Sequence, residues 1–241
     1  MEKAFFISDI HLGAENDIEE QKKINKLISF FNYINQPNNR LYIIGDLFDF
    51  WFEYKYAVPN RNYRILFQIS KLIENNVDVH FLPGNHDSWI KNFLRDQVGM
   101  KIHPEIHTTE IHSKKFYLFH GDGISKKDIG YRILKKIFRS RFNIFLYGLL
   151  HPDLGIPLAR LMSSTSRKHT ADLVLDDEGD YLEFATNKFN KGFDFVIVGH
   201  SHRPKLEKID QHIFLNLGDW INHFSYGMLE SGELSLHFWN G

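Results

Sequence analysis

Five of six short apolar runs in this 241-residue chain end at, or within three residues of, an Asp, His or Asn set in a tight turn. The runs are Ala4 to Ser8, Leu41 to Ile44, Val77 to Leu82, Phe116 to Phe119 and Phe193 to Val198. Behind them stand Asp9 and His11, Asp46, Asn85 and His86, His120, and His200 and His202. A sixth run, Ile213 to Leu217, leads through Gly218 to Asp219, which reads as a turn residue rather than a ligand. Runs of this length predict strands. Between them, Ile18 to Tyr33 carries Ile24, Leu27, Ile28 and Phe31, and Tyr63 to Glu74 carries Leu66, Ile69, Leu72 and Ile73, spacings of three and four that predict helices with one apolar stripe. Strands alternating with such helices define an α/β layered fold. In that class, strand ends at one sheet edge converge on a shared crevice, so residues distant in sequence become neighbours.

The convergent set is carboxylate, amide and imidazole. With no cysteine in the chain, thiolate sites and disulfides are excluded. The mixture suits borderline divalent ions (Mn, Fe, Co or Zn) better than calcium, which prefers oxygen cages. Gly45, Gly84, Gly121 and Gly199 each adjoin a candidate ligand, where a missing Cβ permits sharp turns. A single loop Asp or His usually serves solvation or capping; five linked fragments at strand ends do not fit that explanation. The other nine histidines (His80, His103, His107, His112, His151, His169, His212, His223 and His237) lack the strand-then-turn setting and read as ordinary. Asp219 reads as a turn residue after a strand, and the 22 phenylalanines read as core filling rather than a base-stacking platform. An apolar content of 43% is enough for one sizeable core, so residues 1–241 are expected to form a single domain with an insertion. The balance of 29 basic against 30 acidic residues gives no electrostatic reason for a nucleic-acid partner, and no obligate protein partner is evident. The N-terminal apolar run is too short for a signal peptide and no run reaches the length of a spanning helix, so a cytoplasmic location is the default expectation.

In order and spacing, Asp9-Ile10-His11, Gly45-Asp46-Leu47-Phe48-Asp49, Gly84-Asn85-His86-Asp87, His120-Gly121-Asp122 and Gly199-His200-Ser201-His202 resemble the calcineurin-like metallophosphoesterase family over residues 4 to 204. The resemblance implies a two-sheet sandwich flanked by helices and two divalent metal ions, manganese first, with Fe, Zn or Mg as alternatives. It implies that Asp46 bridges the pair, that Asp9, His11 and His202 complete one site, and that Asn85, His120 and His200 complete the other. His86 is then expected to face the scissile phosphate, oriented by Asp49. Two such ions about 3.5–4 Å apart can clamp the attacking and leaving oxygens of an in-line displacement, and lower the pKa of a bound water toward about 7.

The segment from Ser125 to Thr170 departs from the alternating pattern. Between Lys126 and Lys168 it holds ten Lys or Arg against Asp128 and Asp153, an excess of eight, interleaved with apolar residues such as Phe138, Phe142, Phe145 and Leu149. A basic, apolar helical cap over a phosphate site suggests an amphiphilic anionic substrate or an anionic membrane surface. The bland alternative is a helical pair packed on the core with a solvated basic face. Within the family, Gly45-Asp46-Leu47-Phe48-Asp49-Phe50-Trp51, Tyr131 following the His120-Gly121-Asp122 motif, and Gly199 to Pro204 resemble the UDP-2,3-diacylglucosamine pyrophosphatase group of lipid A biosynthesis. That likeness implies a helical cap at about 125–170 and hydrolysis of a glycolipid nucleotide at the cytoplasmic face of the inner membrane. Asp122, Tyr131, Arg160, Ser163 and Arg167 become candidate substrate contacts. The best-known members of the group have Arg where this chain has His86, which leaves another lipid-linked or nucleotide phosphate as the alternative substrate. A non-catalytic metal-binding scaffold is the third reading.

Overall fold

Alternation along the strands places every second side chain on each face of two sheets. A computed structural model describes residues 2–126, 135, 137–159, 161, 163 and 178–241. The first sheet has the order β11-β10-β1-β2-β3-β4. Its strands are β1 (Ala4–Ile7), β2 (Arg40–Ile44), β3 (Asp78–Leu82), β4 (Lys101–Ile102), β10 (Ser225–Glu230) and β11 (Glu233–Phe238). The second has the order β5-β6-β7-β9-β8, built from β5 (Ile106–Ile111), β6 (Lys114–Phe119), β7 (Phe195–Val198), β8 (Lys205–Ile209) and β9 (His212–Asn216). The strands that lead into the candidate ligands, β1, β2 and β3 in one sheet and β6 and β7 in the other, run parallel to their neighbours within each set.

Three apolar clusters follow from the period of two. Phe5, Ile7, Leu41, Ile43, Val79 and Phe81 point outward onto α1 (Asp17–Ile34) and α2 (Tyr63–Glu74). Their sequence neighbours Ala4, Phe6, Tyr42, Ile44 and Leu82 meet Phe116, Leu118, Phe195, Ile197 and Leu215 between the sheets. Tyr117, Phe119, Val196 and Val198 face outward again, onto Tyr181, Ala185 and Phe189 of the C-terminal helix Glu178–Phe189. The result is the helix–sheet–sheet–helix sandwich expected, with both faces of each central strand buried. Helix α1 starts where Asn16 accepts hydrogen bonds from the backbone N–H groups of Ile18 and Glu19, with Asp17, Glu19 and Glu20 complementing the N-terminal dipole.

Most of the described positions of the insertion are helical. They include α3 (Arg141–Gly148) and a helical run over residues 152–159. Helix α3 buries none of its residues. Phe142, Phe145, Leu149, Leu154 and Leu161 are 62–69% exposed. Of the predicted contacts, Tyr131, Arg160 and Arg167 lie outside the described residues. Among the described residues no helix is long and apolar enough to cross a membrane.

Candidate metal centre

The turns after β1 and β2 are zipped together beyond the ends of their strands. Asp9 donates its backbone N–H to Gly45 O, Ile10 and His11 both donate to Asp46 O, and Leu12 donates to Leu47 O. Helix α1 braces the first turn from behind, where the buried Lys23 Nζ donates to His11 O at 2.9 Å and Glu20 accepts from Gly13 N–H. Asp9, His11, Asp46, His200 and His202 all have φ between 47° and 68°. For residues with a Cβ this left-handed backbone costs about 1–3 kcal/mol each and persists only where the surroundings impose it. Sequence gave the residue types but no signal of this conformation. Two glycines leave the room the ligands occupy. A Cβ on Gly45 (φ 80°) would stand 2.3 Å from His120 Nδ1, and one on Gly84 would stand 2.1 Å from Asp46 Oδ1.

The expected ligands converge. Asp9 Oδ2 accepts the His200 backbone N–H at 2.8 Å, while Asp9 Oδ1 lies 3.6 Å from His11 Nε2 and 3.4 Å from His202 Nε2. Asp46 Oδ1 accepts the His86 N–H at 2.9 Å. Its Oδ2 stands 3.6 Å from His11 Nε2 and 3.3 Å from His120 Nε2, between the two expected groups. Asn85 Oδ1 is 3.2 Å from His120 Nε2. The His200 ring lies 5.2 Å from that of His120, and the His202 ring 5.2 Å from that of His11. One donor atom each from Asp9, His11 and His202 forms one compact group, and Asp9, Asp46 and His120 supply another. His120 Nδ1 sits 3.0 Å from Ile44 O, a carbonyl that can only accept, which puts the proton on Nδ1 and leaves Nε2 to the centre.

These residues fit a pair of divalent cations. Asp9 Oδ1 and both ring nitrogens of His11 are buried with no hydrogen-bond partner, an arrangement that is costly unless a cation collects them. Burial alone would raise the Asp9 and Asp46 carboxyls, but His120 and its neighbouring imidazoles hold both well below the usual carboxylate range. Burial would likewise lower His120, yet Asp46 and Asp9 raise it well above an ordinary histidine. His200 falls to about 4 through burial and repulsion by His120. Asp9 and Asp46 therefore favour their anionic forms, and His120 favours the proton that offsets their charge.

His86 lies beside this group, its ring 4.8 Å from His11. The residue expected to orient it does so through its main chain. His86 Nδ1 is 3.0 Å from Asp49 O and 2.8 Å from Ser163 Oγ, whereas the Asp49 carboxylate is 3.7 Å away. Ser163, expected at a head group or phosphate, donates to Asp49 Oδ1 at 2.6 Å, so it fastens the insertion to the loop that follows β2. Asp122, another expected substrate contact, is 2% exposed and pairs with Lys135 at 2.7 Å. Arg139 joins it at 3.8 Å, and both cations also bind Glu105, while Lys126 binds Glu183. Much of the described part of the basic excess is thus answered by acids outside the insertion. Tyr147 packs on Phe50, Phe52 and Trp89, and Trp89 Nε1 donates to Phe138 O, so the insertion is seated on the loops carrying Asp46 and His86.

Two carboxylates near the centre were not singled out from sequence for this setting. Asp219 does cap its turn, accepting from Ile221, Asn222 and His223 N–H, but its Oδ2 also stands 3.7 Å from His202 Nδ1. Asp87, fully buried, accepts from Gly84 N–H at 2.8 Å and Phe48 N–H at 3.3 Å, holding the second and third turns together. Burial and the charge of Asp46 push it up to about 7. Its place directly after Asn85-His86 was the available signal.

Residues 3–204 match the sequence profile of the calcineurin-like phosphoesterases. Curated relatives carrying the name UDP-2,3-diacylglucosamine hydrolase align over nearly the whole chain. The protein of Porphyromonas gingivalis is 31% identical over 252 residues, covering 97% of this chain and 96% of its own. That of Histophilus somni strain 2336 is 27% identical, with 91% and 93% covered. That of Haemophilus influenzae strain PittGG is 26% identical, with 97% and 98% covered.

Proposed function

Because the chain belongs to the calcineurin-like phosphoesterase family and is a metal-dependent hydrolase, we propose that it cleaves the pyrophosphate of UDP-2,3-diacylglucosamine, giving UMP and 2,3-diacylglucosamine 1-phosphate. The observation that carries the substrate is the insertion, whose exposed Phe142, Phe145, Leu149, Leu154 and Leu161 belong to a segment seated on the Asp46 and His86 loops. Apolar side chains in that position offer acyl chains a place beside a centre that binds phosphate. Full-length likeness to hydrolases named for that glycolipid supports the same substrate. The whole chain, 1–241, is read as one domain with this cap, acting peripherally on the anionic cytoplasmic face of the inner membrane, where a diacylated substrate resides.

Asp9, His11, Asp46 and His202 would hold one ion and Asp46, Asn85, His120 and His200 the other. Manganese is the working choice for this oxygen and imidazole set. When bound, the ions supply positive charge to the phosphate oxygens and activate the attacking water. The protein groups do the rest. Asp46 keeps the two halves of the ligand set in register, and Ile44 O fixes the His120 ring. Asp49 O and Ser163 Oγ hold His86 Nδ1, leaving Nε2 to exchange a proton with the leaving oxygen. Burial, opposed by Asp46, holds His86 at about 4; a pyrophosphate beside it acts in the raising direction, readying the proton when substrate is present.

His86, where Arg is the rule in the best-known relatives of this type, favours the second reading: a phosphoesterase of another lipid-linked or nucleotide phosphate. The test is turnover by chelator-stripped protein with Mn, Mg, Zn or no metal restored. Substrates are UDP-2,3-diacylglucosamine, UDP-N-acetylglucosamine and an aryl phosphate. UMP release from the diacylated substrate alone is expected. Turnover of the aryl ester without UMP release would move the assignment to the second reading, and no metal-dependent turnover on any of them would leave the scaffold.

A further inference from the structure

Three histidines that look ordinary in the sequence come together away from the metal centre. His80 lies on β3, on the face turned toward the second sheet with Leu82. His103 follows β4 and donates its backbone N–H to Phe81 O, and His107 lies on β5. They meet where the chain crosses from the edge of the first sheet to the edge of the second. His80 Nδ1 is 2.7 Å from His103 Nε2, and the His103 and His107 rings stack with centroids 3.7 Å apart. One ring nitrogen from each of the three lies within 4.8 Å of the others. Along β3, at about 3.3 Å per residue, His80 is about 13 Å from Gly84, which places the cluster outside the phosphoesterase centre.

We propose that His80, His103 and His107 form a further metal site, for a single zinc-like divalent ion, which staples the β4–β5 crossover. Three imidazoles without a carboxylate ligand favour zinc, nickel or copper over the oxygen-seeking Mg and Mn of a phosphate centre. Tetrahedral Zn–N bonds of about 2.0–2.1 Å put ligand nitrogens about 3.3 Å apart, so the His80–His103 pair must open by about 0.6 Å, within reach of ring rotation. His103 and His107 are only partly buried and can give that movement. A buried atom also asks for it. His80 is 8% exposed and its Nε2 makes no hydrogen bond, although Asp78 Oδ2 stands 3.1 Å away, out of line. Rotation of the ring toward a shared ion can bring Nε2–H onto that carboxylate, the outer partner that metal-binding histidines usually have. Asp78 also pairs with Lys101 at 2.6 Å, which offsets the cation facing the cluster. Burial lowers all three rings below the ordinary histidine value, with mutual repulsion adding to it at His80 and His103, which favours the neutral form that a metal needs.

The test is zinc stoichiometry by equilibrium dialysis of the chelator-stripped full chain and its variants, followed by elemental analysis. Wild type is expected to hold one equivalent more than His103→Ala or His107→Gln, both at partly exposed positions. Asp46→Asn, which disables the phosphoesterase centre, is expected to keep an equivalent that the added His103→Ala removes. Manganese-supported turnover of an aryl phosphate by His103→Ala should equal that of wild type. Equal zinc content in wild type, His103→Ala and His107→Gln overturns the site. A count that falls with His103→Ala but not with Asp46→Asn upholds it and counts instead against the reading of the phosphoesterase centre.

Discussion

His120 is the residue whose protonation reports most directly on what occupies the centre. Its buried ring is raised well above an ordinary histidine by Asp46 and Asp9, against the lowering effect of burial. In metal-free protein, the stability it contributes is therefore fully present below its unfolded pKa of about 6.5 and is lost as pH rises through the raised folded value. A divalent ion needs the same Nε2 unprotonated, so metal binding must release this proton and affinity must fall as pH falls. Calorimetric titration with Mn2+ in buffers of different ionisation enthalpy should record net proton release near pH 7. Buffer-independent heats would contradict the assignment of His120 as a ligand. His86 makes a different kind of contribution. His86→Ala is expected to retain both metals while turnover falls about 10²–10⁴-fold, the range of a lost acid–base group; undiminished turnover in metal-replete variant would remove it from the chemistry. Ser163→Ala leaves the imidazole but deletes the hydroxyl's hydrogen bonds to Asp49 and to His86 Nδ1, each worth about 1 kcal/mol, so a smaller fall in kcat is expected, read from initial rates. These residues differ in how far sequence revealed them. Ligand types could be read because each follows a strand, whereas Asp49 acting through its carbonyl depends on backbone direction, which residue type does not encode.

At the level of elements, the decisive parts are the turns that end the parallel strands. Strands β1, β2, β3, β6 and β7 were legible because both their faces are buried and their sequences run nearly continuously apolar. The edge strands of the second sheet were not: β5 reads Ile-His-Thr-Thr-Glu-Ile with alternating exposure, and β8 reads Lys-Leu-Glu-Lys-Ile with none fully buried. Their polar content protects open sheet edges and hides them from an apolar pattern. The same blindness concealed the histidine cluster, since His107 lies on one such edge strand. Gly45 and Gly84 test the turns themselves. Gly84→Ala would drive a Cβ into Asp46, displacing the carboxylate shared by both halves of the centre. Misplacement on the order of 1 Å can cost about 10²-fold in rate, so metal content and turnover should fall together in Gly84→Ala. Normal metal content with normal rate would show that the turn can relax.

Across the whole molecule, the proposed ligand set is divided between the sheets. Asp9, His11, Asp46 and Asn85 come from the first sheet, and His120, His200 and His202 from the second. Between the same sheets lies an apolar layer in which Phe6 stacks on Tyr42 and Phe116, and Phe116 meets Phe195 edge-on. Ions bound at the strand ends therefore act on the interface that this layer already holds, and bind the folded arrangement but not the unfolded chain. Ion at a hundredfold excess over its dissociation constant adds about 2.7 kcal/mol. For a chain of this size, each kcal/mol moves Tm by about 2–4 °C, so stripping the metals should lower Tm by about 5–10 °C, with recovery on adding Mn2+. Asp46→Asn should abolish most of that recovery while keeping the apolar layer. The size of the insertion and its apolar content were legible as a break in the strand–helix alternation. How its charges are used was not, because Lys126, Lys135 and Arg139 find acids on other elements. If those pairs chiefly seat the insertion, Glu105→Gln should loosen it, raising KM for a diacylated substrate more than for an aryl phosphate. Equal KM changes for the two substrates would mean that the insertion does not contact the acyl chains.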